Sequence, residues 1–337
     1  MTGTIKLQRD FFKDNKNVIF SNDDFSITLF KYSSGIEAIE LLNSRGKMTV
    51  LPYYGQMIWD LEFDQVDLKM KNMFQEPKKA DDITGTYGCF AFHSGLIRNG
   101  CPAPKDDHPL HGEMPCADMD HAWLEVANDH VKICGSTEYV MGFGHHYMAK
   151  PSVKMYAKET YIEMNMEVEN LAATNMPLQY MCHTNYAYLD QGEFKQNIPV
   201  DAFALRESIP EHVNPTEKWL SYNSALRNGE ASLEKLDQPE MYDPEIVFFA
   251  DKLNQYGEQA EFEITSPDGT AFFTSFSTAE LNYATRWILH NPDQQVAAFV
   301  LPATCRPEGF LAAKKTDTLI TLKPGEKRSF TVVTGKK

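Results

Sequence analysis

The feature that most constrains the fold of this chain is a hydrophobic pattern with a period of two. Residues 160–170, TYIEMNMEVEN, show it most clearly. Apolar side chains at Ile162, Met164, Met166 and Val168 alternate with polar ones at Glu163, Asn165, Glu167 and Glu169. Because successive side chains of a strand point to opposite faces, this segment is predicted to be a half-buried antiparallel strand.

The same alternation recurs along most of the chain. Residues 25–32 and 35–42 are predicted to form a hairpin around a Ser-Ser-Gly turn, and residues 261–276 a second hairpin around Pro-Asp-Gly-Thr. Residues 203–241 are predicted to form a long irregular segment with a short helix near residues 216–226. This segment is either an element at the rim of the sheets or a surface loop. We therefore predict an all-β protein of mostly antiparallel sheets, with less than about a fifth helix. Sheets this large stack face to face.

Neither an internal repeat nor a break in composition marks a linker. We therefore predict that residues 1–337 form a single domain in which roughly the first twenty residues are peripheral.

Charge and composition restrict the partners. The chain has 47 acidic and 32 basic residues, a formal charge of −15. Such a chain is a poor match for nucleic acid or for an anionic membrane surface, and it suits a neutral small molecule. The N-terminus lacks the apolar run of a signal peptide, and no stretch is long and apolar enough for a transmembrane helix. Six scattered cysteines without a CxxC pair predict reduced thiols and a cytoplasmic location.

Two histidines are the first candidates for chemistry. Residues 108–115, HPLHGEMP, place His111 on a tight loop between Pro109 and Gly112. His183 lies within a predicted strand, with Asn185 on the same face. A side chain that titrates near neutral pH suits proton transfer. The alternatives are a solvated turn histidine for His111 and a satisfied core histidine for His183.

Two further motifs carry candidate ligand contacts. Arg286 and Trp287 are adjacent, and an aromatic plane flanked by hydrogen-bond donors suits a sugar ring; a plain strand with an ion pair is the alternative. In CRPEGF, Glu308 is held between Pro307 and Gly309, although turn glutamates are common. A mononuclear metal site formed by His108, His111 and His183, as in cupins, is a third option, but no HxH pair supports it.

Taken together, these motifs resemble a known family. HPLHGEMP, followed further along by MCHTNYAYLD, is similar to the His-Gly loop and the His-Thr strand of the aldose 1-epimerases, or galactose mutarotase-like proteins. LNSRGKMTVLPYYGQMIWD, FAFHSGLIRNG, EVENLAATNMPLQYMCHTNYAYLD and PATCRPEG resemble a bacterial branch of that superfamily. The resemblance covers roughly residues 40–310. It implies the galactose mutarotase-like β-supersandwich fold, a single domain and an open cleft that receives a monosaccharide or sugar derivative.

The resemblance also implies an isomerase that interconverts sugar anomers without a metal or a redox cofactor. His183 would be the acid at the ring oxygen, and His111 would hold that oxygen or a neighbouring hydroxyl. Arg98 and Asp243 would contact hydroxyls, as we also expect of Asn185, Arg286 and Trp287. These five substrate contacts and two histidines complete the predicted site, except for its base.

The base is where the chain departs from the family. The family's catalytic Glu would fall at Leu301 or Pro302, and Glu308 is the nearest carboxylate. Either Glu308 replaces the missing base, or the protein is a non-catalytic carbohydrate-binding protein or sugar sensor on the same fold. A metal-dependent sugar isomerase is a third alternative. The sequence leaves the identity of the sugar, its phosphorylation and the oligomeric state open, with a homodimer among the options.

Overall fold

Antiparallel strands make up most of the computed structural model, which describes residues 3–210 and 213–337. Within those residues there are 22 strands. In chain order they are β1 (Gly3–Lys6), β2 (Asn17–Ser21), β3 (Ser26–Lys31), β4 (Glu37–Leu42), β5 (Gly46–Leu51), β6 (Met57–Phe63), β7 (Val66–Asp67), β8 (Ala91–Leu96), β9 (His121–Val126), β10 (His130–Val140), β11 (His146–Tyr156), β12 (Tyr161–Asn170), β13 (Met176–Thr184), β14 (Glu193–Gln196), β15 (Phe203–Leu205), β16 (Ile246–Asp251), β17 (Gln259–Thr265), β18 (Ala271–Ser277), β19 (Tyr283–His290), β20 (Gln295–Ala303), β21 (Ile320–Leu322) and β22 (Lys327–Lys336).

The strands form two large sheets. A nine-stranded sheet has the order β1-β9-β10-β11-β12-β22-β18-β17-β14. A thirteen-stranded sheet has the order β15-β16-β19-β20-β13-β8-β6-β5-β4-β3-β2, with β21 paired to β13 and β7 paired to β6. Strands β1 and β2, from the first 21 residues, are edge strands of the two sheets.

The alternation predicted for β12 is confirmed by its burial. Side chains of β12 alternate between buried and half-exposed along the whole strand, with Ile162 and Met166 fully buried. The predicted hairpin of β3 and β4 also forms, with Ser26 paired to Leu42. Strands account for 47% and helices for 10% of the structure, which confirms an all-β protein with less than a fifth helix.

The helices are few and short in the part of the chain that is described. They are α1 (Glu217–Arg227), α2 (Phe310–Lys315) and 3-10 turns at Arg9–Phe11, Ile83–Thr86, Val200–Ala202, Pro239–Met241 and Leu253–Gln255. The helix predicted near residues 216–226 is α1, which begins after Thr216 because the Thr216 hydroxyl accepts a hydrogen bond from the Trp219 amide. None of these helices has the length and apolar character needed to cross a membrane.

A buried histidine in the core makes stability depend on pH. His93 on β8 is fully buried, with Nδ1 2.8 Å from the Tyr180 hydroxyl, and burial lowers its pKa to about 3. In the unfolded chain a histidine accepts a proton near pH 6.5. Between about pH 6.5 and 3 the unfolded state therefore binds more protons, and stability is lost as the pH falls through that window.

We expect His93→Asn to reduce this pH dependence. Between pH 7 and pH 5 the buried histidine accounts for a loss of about 2 kcal/mol in the free energy of unfolding, and the variant lacks it. Urea unfolding of both proteins at the two pH values measures the difference. An equal loss in wild type and variant would contradict the assignment.

Candidate functional site

A cavity of about 450 Å³ lies on the face of the thirteen-stranded sheet that points away from the nine-stranded sheet. Alternation along β13 defines this face. Tyr180 and Cys182 point into the core between the sheets, whereas Met181 and His183 point into the cavity. Trp287 and Leu289 are two residues apart on β19, so their side chains share a face, and both line the cavity.

His183 is held at the centre of an aromatic cluster. Its ring stacks on Phe92, with centroids 4.5 Å apart, and meets the edge of Trp287 at 5.8 Å. The hydroxyl oxygen of Tyr87 lies 3.1 Å from its Nε2. The cluster fixes the ring orientation, which is what a proton donor with one target atom requires.

The environment of His183 favours its neutral form. Burial lowers its pKa well below the ordinary value of a histidine, and the neighbouring His111 lowers it further, while the Asn185 amide acts in the opposite direction. Burial also keeps Tyr87 protonated, because it raises the pKa of Tyr87 well above the ordinary value of a tyrosine. At neutral pH the imidazolium of His183 is therefore a scarce but strong acid.

The loop at residues 108–115 places His111 beside His183. The backbone of His111 donates to Gly100 O at 2.9 Å and accepts from the Gly95 amide at 3.0 Å. His111 adopts a left-handed φ of 63°, and Gly112 follows with φ 82°. A Cβ at Gly112 would lie 1.9 Å from Arg98 O, so only glycine fits there. The His111 and His183 rings meet edge to face, with centroids 4.8 Å apart.

Glu113 anchors this loop and does not reach the cavity. Its Oε1 accepts hydrogen bonds from the amides of Leu96 and Ile97, at 2.8 and 2.7 Å, and from the Tyr147 hydroxyl at 3.1 Å.

We expect Glu113→Ala to lower the free energy of unfolding by about 2–3 kcal/mol, because it leaves buried donors without an acceptor. Glu113→Gln keeps an acceptor oxygen and should lose less. Urea unfolding measures both; an alanine variant as stable as wild type would exclude the anchoring role.

A carboxylate stands beside this cluster. Glu245 Oε2 accepts a hydrogen bond of 2.8 Å from the Trp287 indole, and Glu245 Oε1 lies 3.6 Å from the Arg206 guanidinium. Its backbone is fixed by α1, because the Trp219 indole donates to Glu245 O at 2.6 Å. Trp287 therefore contacts both Glu245 and His183, and the side chains of Arg206, Glu245 and Trp287 all line the cavity.

Four of the residues predicted from the sequence line this cavity. They are His111, His183, Asp243 and Trp287. Asp243 accepts a long hydrogen bond of 3.5 Å from the Asn291 amide. Trp287 is half-buried in the cavity wall, and its indole nitrogen donates to Glu245 Oε2.

Glu308 needs a correction, because its carboxylate does not line the cavity. Its backbone pairs with Gly100, and its side chain accepts a hydrogen bond of 3.0 Å from the Ser208 hydroxyl and lies 4.0 Å from Arg306. The preceding residue, Pro307, lines the cavity in its place. We therefore do not retain Glu308 as the base.

Arg98 is also outside the cavity lining. Its guanidinium lies 4.0 Å from the centre of the Phe310 ring, and its Nε lies 3.8 Å from Asp107. Asn185 is fully buried, with its amide nitrogen donating to Cys89 O at 3.0 Å. Both side chains have partners within the protein, and neither lines the cavity.

Arg286 is buried on the core side of β19, whereas Trp287 lines the cavity. Its guanidinium is stacked between Phe194 and Phe203, at 4.1 and 4.3 Å from their centres, and its Nε donates to Phe299 O. Burial lowers the pKa of Arg286 to about 9. Arg286 and Trp287 are therefore adjacent in the sequence but do not line the same cavity.

Tyr87, Arg206 and Glu245 are among the cavity residues that sequence reasoning missed. Glu245 could have been found from the sequence. The segment Asp243-Pro244-Glu245 places two carboxylates around one proline directly before the apolar strand β16. Tyr87 lies in the glycine-rich segment 85–88, and Arg206 follows the three-residue strand β15. Neither position carries a recognisable motif.

The residues considered for a metal site are not grouped. His108 is absent from the cavity lining, and its Nδ1 lies 2.8 Å from Pro109 O. Across residues 3–210 and 213–337, no three or more His, Cys, Asp or Glu side chains are arranged to hold a metal ion. The His108, His111 and His183 triad is thus not formed.

Comparisons with known proteins agree with this fold. A family model described as "Domain of unknown function (DUF4432)" matches residues 33–334. No curated protein matches the chain.

Several solved structures share the architecture. A candidate aldose 1-epimerase from Klebsiella pneumoniae superposes with a TM-score of 0.81 at 14% identity, over 100% of this chain and 91% of that one. A galactose mutarotase-like protein from Clostridium acetobutylicum gives 0.63 at 14% identity, over 94% and 99%. A candidate aldose 1-epimerase from Escherichia coli gives 0.56 at 16% identity, over 87% and 96%. At these identities the likeness establishes the galactose mutarotase-like fold.

Proposed function

The chain belongs to the family described as "Domain of unknown function (DUF4432)", and from that premise we propose that it is an aldose 1-epimerase-like isomerase that binds a monosaccharide or sugar derivative. One observation carries the proposal. Two imidazoles and a carboxylate, from His111, His183 and Glu245, surround one aromatic-walled cavity. A reducing cytoplasm would suit its six unpaired cysteines.

The reaction requires two proton transfers at one sugar. A base removes the proton from the O1 hydroxyl while an acid protonates the ring oxygen O5. The C1–O5 bond then breaks and C1 becomes an aldehyde carbon. Rotation about the C1–C2 bond presents the other face of the aldehyde to O5, and the ring closes with both proton transfers reversed. The protein supplies an acid and a base on opposite sides of the C1–O5 bond.

His183 is the acid in this proposal. A sugar ring oxygen that enters the cavity competes with the Tyr87 hydroxyl for His183 Nε2, since these two groups are already 3.1 Å apart. Burial makes the imidazolium of His183 unstable in the free protein, so it gives up its proton readily. His111, 4.8 Å away between ring centres, is placed to hold the same oxygen or the neighbouring hydroxyl.

Glu245 is the base, in the role that the sequence suggested for Glu308. Its carboxylate is oriented by the Trp287 indole, and its charge faces Arg206. With the ring oxygen at His183 and the sugar stacked on Trp287, O1 falls on the side of Glu245. Arg206 and Asp243 are then placed to bind the remaining hydroxyls.

The test is the decay of optical rotation of freshly dissolved α-anomers, with and without the protein, for a panel of common aldoses. We expect acceleration over buffer for at least one sugar, together with saturable binding measured by calorimetry. Absence of both acceleration and binding across the panel would refute the proposal.

A second candidate is a non-catalytic sugar-binding protein. Two observations favour it: Leu301 occupies the cavity where the family resemblance implies a Glu, and burial keeps His183 largely uncharged. Binding of a sugar without any change in the rate of its anomerisation would select this candidate.

A further inference from the structure

The floor of the cavity is unusually apolar for a site that receives a sugar. The sheet supplies the side chains of Met181 from β13, Val247 from β16, Trp287 and Leu289 from β19, and Leu301 from β20. Among the cavity-lining residues that belong to these strands, His183 is the one titratable side chain. The other charged groups, Asp243, Glu245 and Arg206, all come from loops.

The strand register places this apolar floor next to His183. In the antiparallel pair of β13 and β20, Met181 is opposite Ala303. Leu301 precedes Ala303 by two residues on β20 and belongs to the same hydrophobic cluster as Ala303 and Met181. Met181 precedes His183 by two residues on the same face of β13 and belongs to one hydrophobic cluster with Leu289 and Leu301. The imidazole of His183 is therefore bordered by two aliphatic side chains on the sheet.

The chemistry of a pyranose then determines what lies on that floor. The ring oxygen is bonded to C1 on one side and to C5 on the other. When the ring oxygen is at His183 and C1 is directed over Trp287 toward Glu245, the substituent on C5 points away from Glu245. Because C5 is bonded to the ring oxygen, its substituent stays close to His183, where Met181 of β13 and Leu301 of the neighbouring strand β20 are the aliphatic side chains of the cavity floor.

Resting on the proposed function, we propose that the preferred substrate is an uncharged 6-deoxyaldose, in which C5 bears a methyl group instead of a hydroxymethyl group. A methyl group gains apolar contact on Leu301 and Met181. A hydroxyl in the same place would be removed from water without a hydrogen-bond partner. A phosphate at that carbon would be still less favourable, because the charged cavity residues are two carboxylates, Asp243 and Glu245, and one guanidinium, Arg206.

The decisive experiment compares sugars that differ only in this hydroxyl. The pairs are D-fucose with D-galactose, L-fucose with L-galactose, and L-rhamnose with L-mannose, and kcat/KM for anomerisation is measured for each by polarimetry or exchange NMR. We expect the deoxysugar of at least one pair to exceed its hydroxylated partner by about 10- to 100-fold, the range over which an apolar pocket rejects an added hydroxyl. Glucose 6-phosphate and galactose 6-phosphate should not be accelerated.

The outcomes separate this inference from the proposed function. Acceleration of hexoses equal to or greater than that of their deoxy partners, or acceleration of the phosphates, would overturn the 6-deoxyaldose proposal and leave the isomerase in place. Acceleration and binding of no sugar would overturn both.

Substitutions in the floor provide an independent test. Leu301→Asn should move the ratio of kcat/KM between deoxysugar and hexose toward the hexose by about tenfold, since it offers the hydroxyl a partner. Leu289→Asn, at a slightly more exposed position, is the second variant if the first fails to fold, as judged by circular dichroism. Leu171→Asn, an exposed leucine beyond the end of β12, is the matched control and should leave the ratio unchanged. An unchanged ratio in a folded floor variant would overturn the proposal.

Discussion

Glu245→Gln lowers the rate of anomer interconversion by a factor of about 10² to 10⁴, the usual effect of removing a general base. The glutamine has the same shape and can still accept a hydrogen bond from the Trp287 indole, which in the wild type is 2.8 Å from Glu245 Oε2. Sugar affinity should therefore stay within a few-fold while kcat falls. Polarimetry gives the rate, and calorimetry gives the affinity.

Glu308→Gln is the matched control for this experiment. Both positions lose one carboxylate, but Glu308 faces Ser208 and Arg306 and does not line the cavity. We expect the Glu308 variant to keep its rate within about two-fold. The reverse result, a slow Glu308 variant beside a fast Glu245 variant, would return the role of base to Glu308.

His183→Gln lowers the rate by a comparable factor of about 10² to 10⁴ and also removes a characteristic pH dependence. Because burial and His111 hold the pKa of His183 well below its ordinary value, the imidazolium becomes rarer as the pH rises. Above that pKa, kcat/KM of the wild type should fall about tenfold for each pH unit, after subtraction of the buffer reaction. Measurements from about pH 5.5 to 8.5 test the slope.

His130→Gln is the control for His183→Gln, because His130 is a partly exposed surface histidine next to Asp129 and is not in the cavity. It should retain both the rate and the slope. A wild-type profile that is flat over this range would exclude His183 as a cationic acid and would direct attention to the Tyr87 hydroxyl, its neighbour at 3.1 Å.

The alternation of residue types along the sequence by itself determines the all-β architecture. β12 buries the four apolar side chains that its pattern predicts, and the hairpin of β3 and β4 forms around its Ser-Ser-Gly turn. Alternation is a local property, since the two faces of a strand are set by its own backbone. The resemblance of HPLHGEMP and MCHTNYAYLD to a known family similarly singled out His111 and His183, because each lies within a short recognisable motif.

What only the tertiary structure decided is which side chains share the cavity. Glu245 and Arg206 are far from both histidines in the sequence, and they reach the cavity because Trp219 of α1 fixes the Glu245 backbone and β16 lies beside β19 in the sheet. Conversely, Arg286 is next to Trp287 in the chain but lies on the other face, and Glu308 points to Ser208. Neighbours along a strand are separated by the sheet itself, whereas side chains on adjacent strands and loops are brought together only by long-range pairing. A single sequence carries no direct signal of that pairing.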